Sequence, residues 1–215
     1  MNNNLRFERF KDARWFGSNL ECVIGGCGGI GSWLSFLLAR AGFRLTIYDF
    51  DIIEKHNIGG QLFRVNQVTN YKVNAMSTLI SDFSEEYVGI LKEPYDENSM
   101  TNPFMFSAFD NMKARRIMFE KWRNTFCNIE LDTYNKDAIF IDGRLNAETF
   151  QIFSVRNNKE DLDNYEKNLF DDSEVENESC TFKQTSHFAA MIAAYMVNIF
   201  TNHVSNIMNN NNISK

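Results

Sequence analysis

The hydrophobic pattern of the chain alternates between short continuous apolar runs and longer stretches with helical spacing. Residues 20–25 and 45–49 are short runs whose length and flanking residues are typical of buried strands. Between them, residues 30–41 carry apolar side chains every three to four positions, and Gly42 follows as a helix stop. This order of strand, turn, helix and strand predicts the first unit of a doubly wound sheet.

The alternation continues toward the C-terminus. Further strands are expected at 87–91, 103–109, 138–141 and 149–155, and further helices at 73–83, 112–124 and 183–206. Apolar residues recur at alternating positions in the last of these strands, which favours a place at the sheet edge. The predicted fold class is therefore α/β, a Rossmann-like doubly wound sheet that is mostly parallel with an antiparallel edge.

Length and composition suit a single domain over residues 1–215. Of the 215 residues, 44% are hydrophobic and 14% aromatic, which is enough to bury a core. Within this domain we expect an N-terminal helix at 5–17 and a frayed, Asn-rich tail at 207–215. The acidic crossover loop at 156–182 is interpreted either as a solvated segment or as a partner-binding face.

The charge balance and the apolar segments exclude several classes of protein. The net charge of −6 argues against a general nucleic-acid-binding face. The chain begins without a long apolar segment, and the apolar stretch 188–200 is too short to cross a bilayer and contains Asn198. We therefore expect a cytoplasmic protein with neither a nucleic-acid nor a membrane partner.

The cysteines and histidines do not follow a metal-binding pattern. No C-x-x-C pair and no H-x-x-x-H pair occurs, so no zinc site is expected. Cys22, Cys27 and Cys127 are interpreted as structural residues with reduced thiols.

A glycine-rich turn joins the first predicted strand to the first predicted helix. Residues 26–31, Gly-Cys-Gly-Gly-Ile-Gly, fit the G-x-G-x-x-G pattern in that context. Glycine lets the backbone approach a phosphate, and the free N–H groups at a helix start favour an anion. Asp49 ends the next strand, where a carboxylate can accept hydrogen bonds from ribose hydroxyls. The turn indicates nucleotide binding, although tight strand–helix packing alone would need the same glycines.

The nucleotide itself is not decided by the turn, and the residues around it carry more information. A nicotinamide or flavin enzyme uses the same pattern, whereas no Lys-Ser or Lys-Thr of a Walker loop follows the glycines. The other pieces are Arg6-Phe7-Glu8-Arg9, Asp49-Phe50-Asp51, Asn57-Ile58-Gly59-Gly60-Gln61, Lys72 and Phe109-Asp110-Asn111. In this order and spacing, from Arg6 to about Asn202, the chain resembles the ThiF/MoeB-type adenylyltransferases, whose fold ubiquitin-activating enzymes share.

The resemblance implies an activity and a set of site residues. Members adenylate a carboxylate with ATP and Mg²⁺, typically at the C-terminus of a small ubiquitin-like protein or peptide, and release pyrophosphate as homodimers. By position, Gly26, Gly28 and Gly29 line the nucleotide, Asp49 holds the ribose, and Asn57 and Gln61 face the phosphates. Likewise, Lys72 contacts the α-phosphate, Asp110 holds Mg²⁺, Asn111 closes the pocket, and Arg9 reaches the phosphates of the other protomer.

Each of these side chains also has an ordinary interpretation. Lys72 on a helix could be a solvated charge, and Arg9 could be ordinary surface. Asp110 could cap the helix that begins near Met112. Cys180 lies where some relatives carry a reactive cysteine that accepts the activated acyl group, but it could also be a small buried hydrophobe at the start of the helix.

The chain departs from the resemblance at one phosphate-facing position. The family usually has an arginine directly before the glutamine, and this chain has Gly60 there. Arg64 is a candidate replacement, since a guanidinium can clamp phosphate oxygens. Two other functions stay open, a nicotinamide-dependent oxidoreductase and a degenerate, non-catalytic scaffold. Arg144 is expected either to meet a substrate carboxylate or to pair with Asp142 on the surface.

Overall fold

A computed structural model of the chain describes residues 7–84, 86–146, 149–170 and 185–212. Six strands form one sheet in the order β3-β2-β1-β4-β5-β6. They are β1 Glu21–Gly25, β2 Arg44–Tyr48, β3 Val88–Leu91, β4 Phe104–Ser107, β5 Ile139–Asn146 and β6 Thr149–Arg156. The first five strands pair in parallel, and β6 pairs antiparallel to β5. The predicted fold class is therefore confirmed, including the antiparallel edge.

In the described part of the chain, five α-helices connect and cover the strands. They are α1 Gly29–Arg40, α2 Lys72–Ser81, α3 Met112–Phe126, α4 Lys159–Lys167 and α5 Ser186–Asn212. Two short 3₁₀ helices, Lys55–Gly59 and Val65–Gln67, lie between β2 and α2. Within the described ranges, none of the helices combines the length and the apolar character that a membrane crossing requires.

The central strands β1 and β4 are largely apolar because helices cover both faces of the sheet. In β1, Cys22 and Ile24 face the core formed with α1, α2 and α5, whereas Val23 faces the core formed with α3 and α4. A strand buried on both faces has no polar side to alternate with, so its sequence reads as a continuous apolar run. This arrangement explains why the run at 20–25 carried no period-two signal.

Three predicted segments differ in the structure. Residues 7–17 form successive turns instead of the expected helix over 5–17, because the rings of Phe7, Phe10 and Phe16 cluster around short i→i+3 bonds. The predicted loop at 156–182 contains α4, which Asn158 caps and Tyr165 anchors in the core. In the expected frayed tail at 207–215, residues 207–212 continue α5, since buried Val204 and its neighbours hold this end of the helix, and residues 213–215 lie outside the described residues.

The connections after β1, β2 and β4 converge at one edge of the sheet. Parallel strands end at the same edge, which is where ligands bind in open α/β sheets. The amide of Gly26 donates to the Tyr48 carbonyl over 2.9 Å, and the amide of Ala108 donates to the Gly25 carbonyl over 2.8 Å. The glycine turn is thereby hydrogen-bonded to the ends of both neighbouring strands.

Candidate nucleotide-binding site

The glycine turn leaves open space above its backbone. Gly26 has a φ of +90°, and a Cβ there would lie 2.7 Å from the carbonyl oxygen of Ala108. In contrast, a Cβ on Gly28 would have no heavy atom within 4 Å among the described residues. In the same part of the chain, α1 begins after Gly28 without a side-chain cap or an acidic residue in its first turn. The turn therefore offers an anion both space and unpaired N–H groups.

Asp49 is hydrogen-bonded to this turn. Its carboxylate accepts from the amide of Cys27 over 2.7 Å through Oδ2, and from the amide of Asp51 over 2.8 Å through Oδ1. Burial raises the pKa of Asp49, and the charge of Lys72 and the two amides offset this only in part. The carboxylate is therefore fixed at the end of β2, in the position expected for a ribose-binding group.

Lys72 is the first residue of α2, and its side chain is only 8% exposed. Its Nζ lies 2.6 Å from Oδ2 of Asp51, and its amide donates to the Asp51 carbonyl over 3.0 Å. Burial alone would lower the pKa of Lys72, but the carboxylates of Asp49 and Asp51 outweigh burial and raise it. The solvated-charge interpretation of Lys72 is therefore wrong, because the ammonium is buried between two carboxylates beside the turn.

Asn57 and Gln61 lie on the segment that follows β2. The Asn57 side chain accepts from the amide of Glu54 over 2.8 Å, so it also shapes the 3₁₀ turn. Leu62, the neighbour of Gln61, donates its amide over 3.0 Å to Oγ of Ser32 in α1, which brings this segment to the start of α1. The Oε1 atom of Gln61 is buried with no hydrogen-bond partner among the described residues. Such an atom is costly unless a further group completes the site.

Asp110 and Asn111 follow β4 at the same edge. Asn111, rather than Asp110, caps α3, because its side chain accepts from the Ala114 amide over 2.8 Å. Its Nδ2 donates to Oδ1 of Asp110 over 3.2 Å, and the Asp110 carboxylate is exposed. The capping interpretation of Asp110 is therefore wrong, and its carboxylate is directed to solvent at the site.

Asp110 suits a Mg²⁺ ion that arrives with a nucleotide. Mg²⁺ prefers oxygen ligands and commonly takes one or two carboxylates together with phosphate oxygens and waters. No group of three or more His, Cys, Asp or Glu side chains in the described ranges is arranged to hold a metal ion. A single carboxylate therefore fits a shared metal site, in which the nucleotide and water supply the other ligands.

Three predicted positions are not brought into this site by the described chain. Arg9 is exposed in the turns at 7–17, whose Phe7 and Phe16 pack near Gly42 at the opposite edge of the sheet. Cys180 lies outside the described residues. Arg64, the candidate replacement for the arginine missing at Gly60, instead pairs with Asp82 over 2.7 Å.

A buried ionic cluster behind the Asp110 loop was not predicted from the sequence. Asp142 in β5 is fully buried and pairs with Arg115 of α3 and Arg144 of β5. Arg144 does pair with Asp142, as one alternative held, but in the interior and not on the surface. The available signal was Arg115 itself, a charged residue on the apolar stripe of α3 that also contains Met112 and Phe119.

The chain belongs to the ThiF family, whose model matches residues 12–215. Ubiquitin-like modifier-activating enzyme 5 of Oryza sativa subsp. japonica is 30% identical over 156 residues, which cover 63% of this chain and 34% of that protein. This chain therefore spans about a third of the length of that curated relative.

Solved structures share the fold at low sequence identity. The structure of E. coli MccB with ATP has a TM-score of 0.66 at 19% identity, covering 95% of this chain and 64% of that chain. E. coli tRNA N6-threonylcarbamoyladenosine dehydratase, TcdA, has a TM-score of 0.62 at 16% identity, covering 98% of this chain and 94% of that chain. A further structure of TcdA is a complex with AMP.

Proposed function

We propose that this chain binds ATP with Mg²⁺ and adenylates a carboxylate, at the C-terminus of a ubiquitin-like protein or a peptide. The observation that carries the proposal is the buried ammonium of Lys72, 2.6 Å from Asp51 and beside Asp49, which is itself bonded to the glycine turn. A cation in that position serves an anionic ligand above the turn. Family membership supports a nucleotide as that ligand.

The reaction requires two anions to meet, and the site is built to reduce their repulsion. An oxygen of the substrate carboxylate attacks the α-phosphorus and forms a new P–O bond, while the bond to the bridging oxygen breaks and pyrophosphate leaves. Lys72 would stabilise the charge that develops on the α-phosphate, and the first N–H groups of α1 would bind phosphate oxygens. Asp110 would hold Mg²⁺, which when bound neutralises phosphate charge.

The substrate class follows from the relatives and not from the geometry. The rice relative is named for activating a ubiquitin-like modifier, and E. coli MccB has been solved with MccA as well as with ATP. Both support a protein or peptide terminus as the carboxylate. Family membership weighs against the nicotinamide alternative, which predicts enhanced NADH fluorescence on binding and no release of pyrophosphate.

The test is exchange of labelled pyrophosphate into ATP in the presence of candidate C-terminal peptides. Wild-type protein is expected to catalyse exchange with one of them, and Lys72→Ala and Asp110→Ala are expected to lose it. Lys92→Ala is a matched control, since Lys92 lies over the Tyr71 ring on the surface. Equal exchange by wild type and both site variants would refute the assigned roles.

A non-catalytic nucleotide-binding scaffold is the second candidate, and one observation favours it. Gly60 stands where the resemblance expects a cation, and Arg64 is held by Asp82 over 2.7 Å instead of replacing it. This candidate predicts ATP binding without pyrophosphate exchange, even with the true substrate present. If this candidate is correct, Gly60→Arg is expected to create exchange activity. If the first proposal holds, the wild-type protein already catalyses exchange without that substitution.

We further propose a homodimer in which Arg9 acts on the partner's nucleotide. Arg9 lies near the opposite edge of the sheet from the site of its own chain. This position supports a role at the site of a partner chain. Mixing inactive Arg9→Ala and Lys72→Ala proteins tests this, because a mixed dimer would contain one site with both residues. Restored exchange supports action across the dimer, and no restoration contradicts it.

Acyl transfer to Cys180 and a cytoplasmic location stay predictions.

A further inference from the structure

The loop that carries Asp110 rests on the buried ionic cluster behind it. Asp142 is fully buried, and its carboxylate accepts from Arg115, from Nε of Arg144 over 2.7 Å and from the Tyr165 hydroxyl over 3.0 Å. These three donors come from α3, β5 and α4. The carboxylate therefore joins three elements at one point in the interior.

Arg115 extends from this cluster to the loop. Its guanidinium, on a residue that is 5% exposed, also donates to the Gly143 carbonyl over 3.1 Å and to the Phe109 carbonyl. The Phe109 carbonyl belongs to the peptide group that joins Phe109 to Asp110. A planar guanidinium with several fixed donors can bridge these acceptors, and a lysine ammonium cannot reproduce that geometry. Arg115 thus fixes the peptide directly before Asp110.

Asp110 is also held from its other side. Asn111 donates from Nδ2 to Oδ1 of Asp110 over 3.2 Å while its Oδ1 caps α3. The Phe109 ring packs so closely on Gly25 that no Cβ would fit there. The Asp110 carboxylate is therefore exposed, yet the backbone that carries it is fixed at three points.

We propose that Arg115, held in place by Asp142, is a positioning residue that orients the Asp110 carboxylate toward the metal ion of the bound nucleotide. This inference rests on the proposed function, because it takes Asp110 as the metal ligand. Stability alone is a poor reason for the cluster, since a buried ion pair seldom stabilises a protein more than apolar residues would. Groups that orient a metal ligand, in contrast, strongly influence metal affinity.

The test measures Mn²⁺ binding by electron paramagnetic resonance, with the protein saturated with a non-hydrolysable ATP analogue. Arg115→Lys keeps the positive charge but not the fork of donors, and it is expected to weaken Mn²⁺ binding by about 10- to 100-fold. Binding of the analogue in EDTA should stay within about twofold of wild type, because the glycine turn and Lys72 are unchanged.

Arg116→Lys is the matched control. Arg116 is the next residue on α3 and donates to the Leu169 carbonyl over 3.1 Å, so it links α3 to the end of α4 without contacting the Asp110 loop. Its Mn²⁺ affinity should match that of wild type. In an Asp110→Ala background, Arg115→Lys should cause no further loss of Mn²⁺ affinity, because the ligand it positions is gone. An additional loss in that background, or an equal loss in Arg116→Lys, would overturn the inference.

Tyr165→Phe covers the case in which Arg115→Lys does not fold. It removes one hydrogen bond to Asp142 and keeps the ring that packs on Phe119, Phe140 and Phe153. A smaller weakening of Mn²⁺ binding in the same direction supports the inference, and wild-type affinity overturns it. If Asp110→Ala binds Mn²⁺ like wild type, the role of Asp110 in the proposed function fails. If Asp110→Ala loses Mn²⁺ binding but Arg115→Lys and Tyr165→Phe bind Mn²⁺ like wild type, the positioning role alone fails.

Discussion

Two glycines of the same turn differ in what surrounds them. A Cβ on Gly31 would overlap the carbonyl oxygen of Gly26, so Gly31 serves the close packing of α1 on the end of β1. A Cβ on Gly28 would enter open space, and Gly28 has an ordinary φ of −83°. No described neighbour therefore blocks a Cβ at position 28, whereas a phosphate above the turn would lie close to one.

This contrast predicts opposite effects for two alanine substitutions. Gly31→Ala should destabilise the protein by about 1–3 kcal/mol, because the added methyl overpacks the turn. Gly28→Ala should destabilise the protein less than Gly31→Ala, because its Cβ meets no described atom, but it should weaken ATP binding by about tenfold or more, a loss of about 1.4 kcal/mol. Urea denaturation and calorimetric ATP titration of both variants measure the two effects. If Gly28→Ala binds ATP like wild type, no phosphate approaches that position.

At the scale of the element, α3 and α4 both begin with an asparagine whose side chain caps the helix. Asn111 caps α3 through the Ala114 amide, and Asn158 caps α4 through the Asp161 amide over 2.9 Å. The cap of α3 also contacts Asp110, so the start of α3 and the loop that carries Asp110 share one residue. The cap of α4 lies far along the chain from the site, and Asn158 does not contact Asp110 among the described residues.

The double role of Asn111 can be separated by substitution. Asn111→Ala should lower the free energy of unfolding by about 1 kcal/mol, because α3 loses its cap. Asn111→Ser should restore most of that stability, because serine caps well, without restoring the hydrogen bond to Asp110. Urea denaturation measures the first effect and pyrophosphate exchange the second. Full exchange activity in Asn111→Ser would show that the contact with Asp110 is dispensable.

The start of α4 predicts a dependence of stability on pH. Partial burial alone would raise the pKa of Asp161, but hydrogen bonds from Arg156 and Asn158 lower it. A carboxyl whose pKa is lowered in the folded state stabilises the protein above its unfolded pKa, and this contribution is lost as the pH falls through the folded pKa.

Asp161→Asn should therefore cost about 0.5–1 kcal/mol near neutral pH. The difference from wild type should shrink as the pH falls below the unfolded pKa of about 3.9, and it should vanish below the lowered folded pKa, where the carboxyl is protonated in both states. Urea denaturation of both proteins across this range is the measurement. A difference that is independent of pH would assign the effect to the loss of shape and not of charge.

At the scale of the whole molecule, α5 completes one of the two cores. Phe200 of α5 is fully buried, and its ring lies 4.9 Å from the ring of Phe43, 5.5 Å from that of Phe104 and 5.2 Å from that of Phe106. One side chain near the C-terminus thus packs against β4 and the start of β2, which are distant in sequence. The sheet that positions the site is covered only when the last helix is in place.

Phe200→Ala should destabilise the protein by about 3–5 kcal/mol, through lost burial and the cavity left among three rings. Tyr195→Ala on the same helix is the control, because Tyr195 is 53% exposed and its loss should cost no more than about 0.5 kcal/mol. Chemical denaturation of both variants measures the difference. Similar losses would contradict the view that Phe200 closes the core.

The chain's own pattern determined the elements that build the site and the order in which they occur. Short apolar runs, helical spacing and Gly42 predicted the parallel sheet, because burial on both faces leaves a strong local signal. The turns at 7–17 and the extension of α5 to Asn212 were not predictable, because both depend on packing against segments distant in sequence, such as Trp15 on Phe43.

For the site, the sequence alone determined the glycine turn, Asp49, and the places of Lys72 and Asp110 at strand and helix ends. Only the tertiary structure decided the ionic partners, which are Asp51 for Lys72 and Asp142 for Arg115. The physical reason is that local spacing records backbone conformation and burial. The choice between a solvated charge and a buried ion pair depends on which distant side chain the fold brings within hydrogen-bond distance.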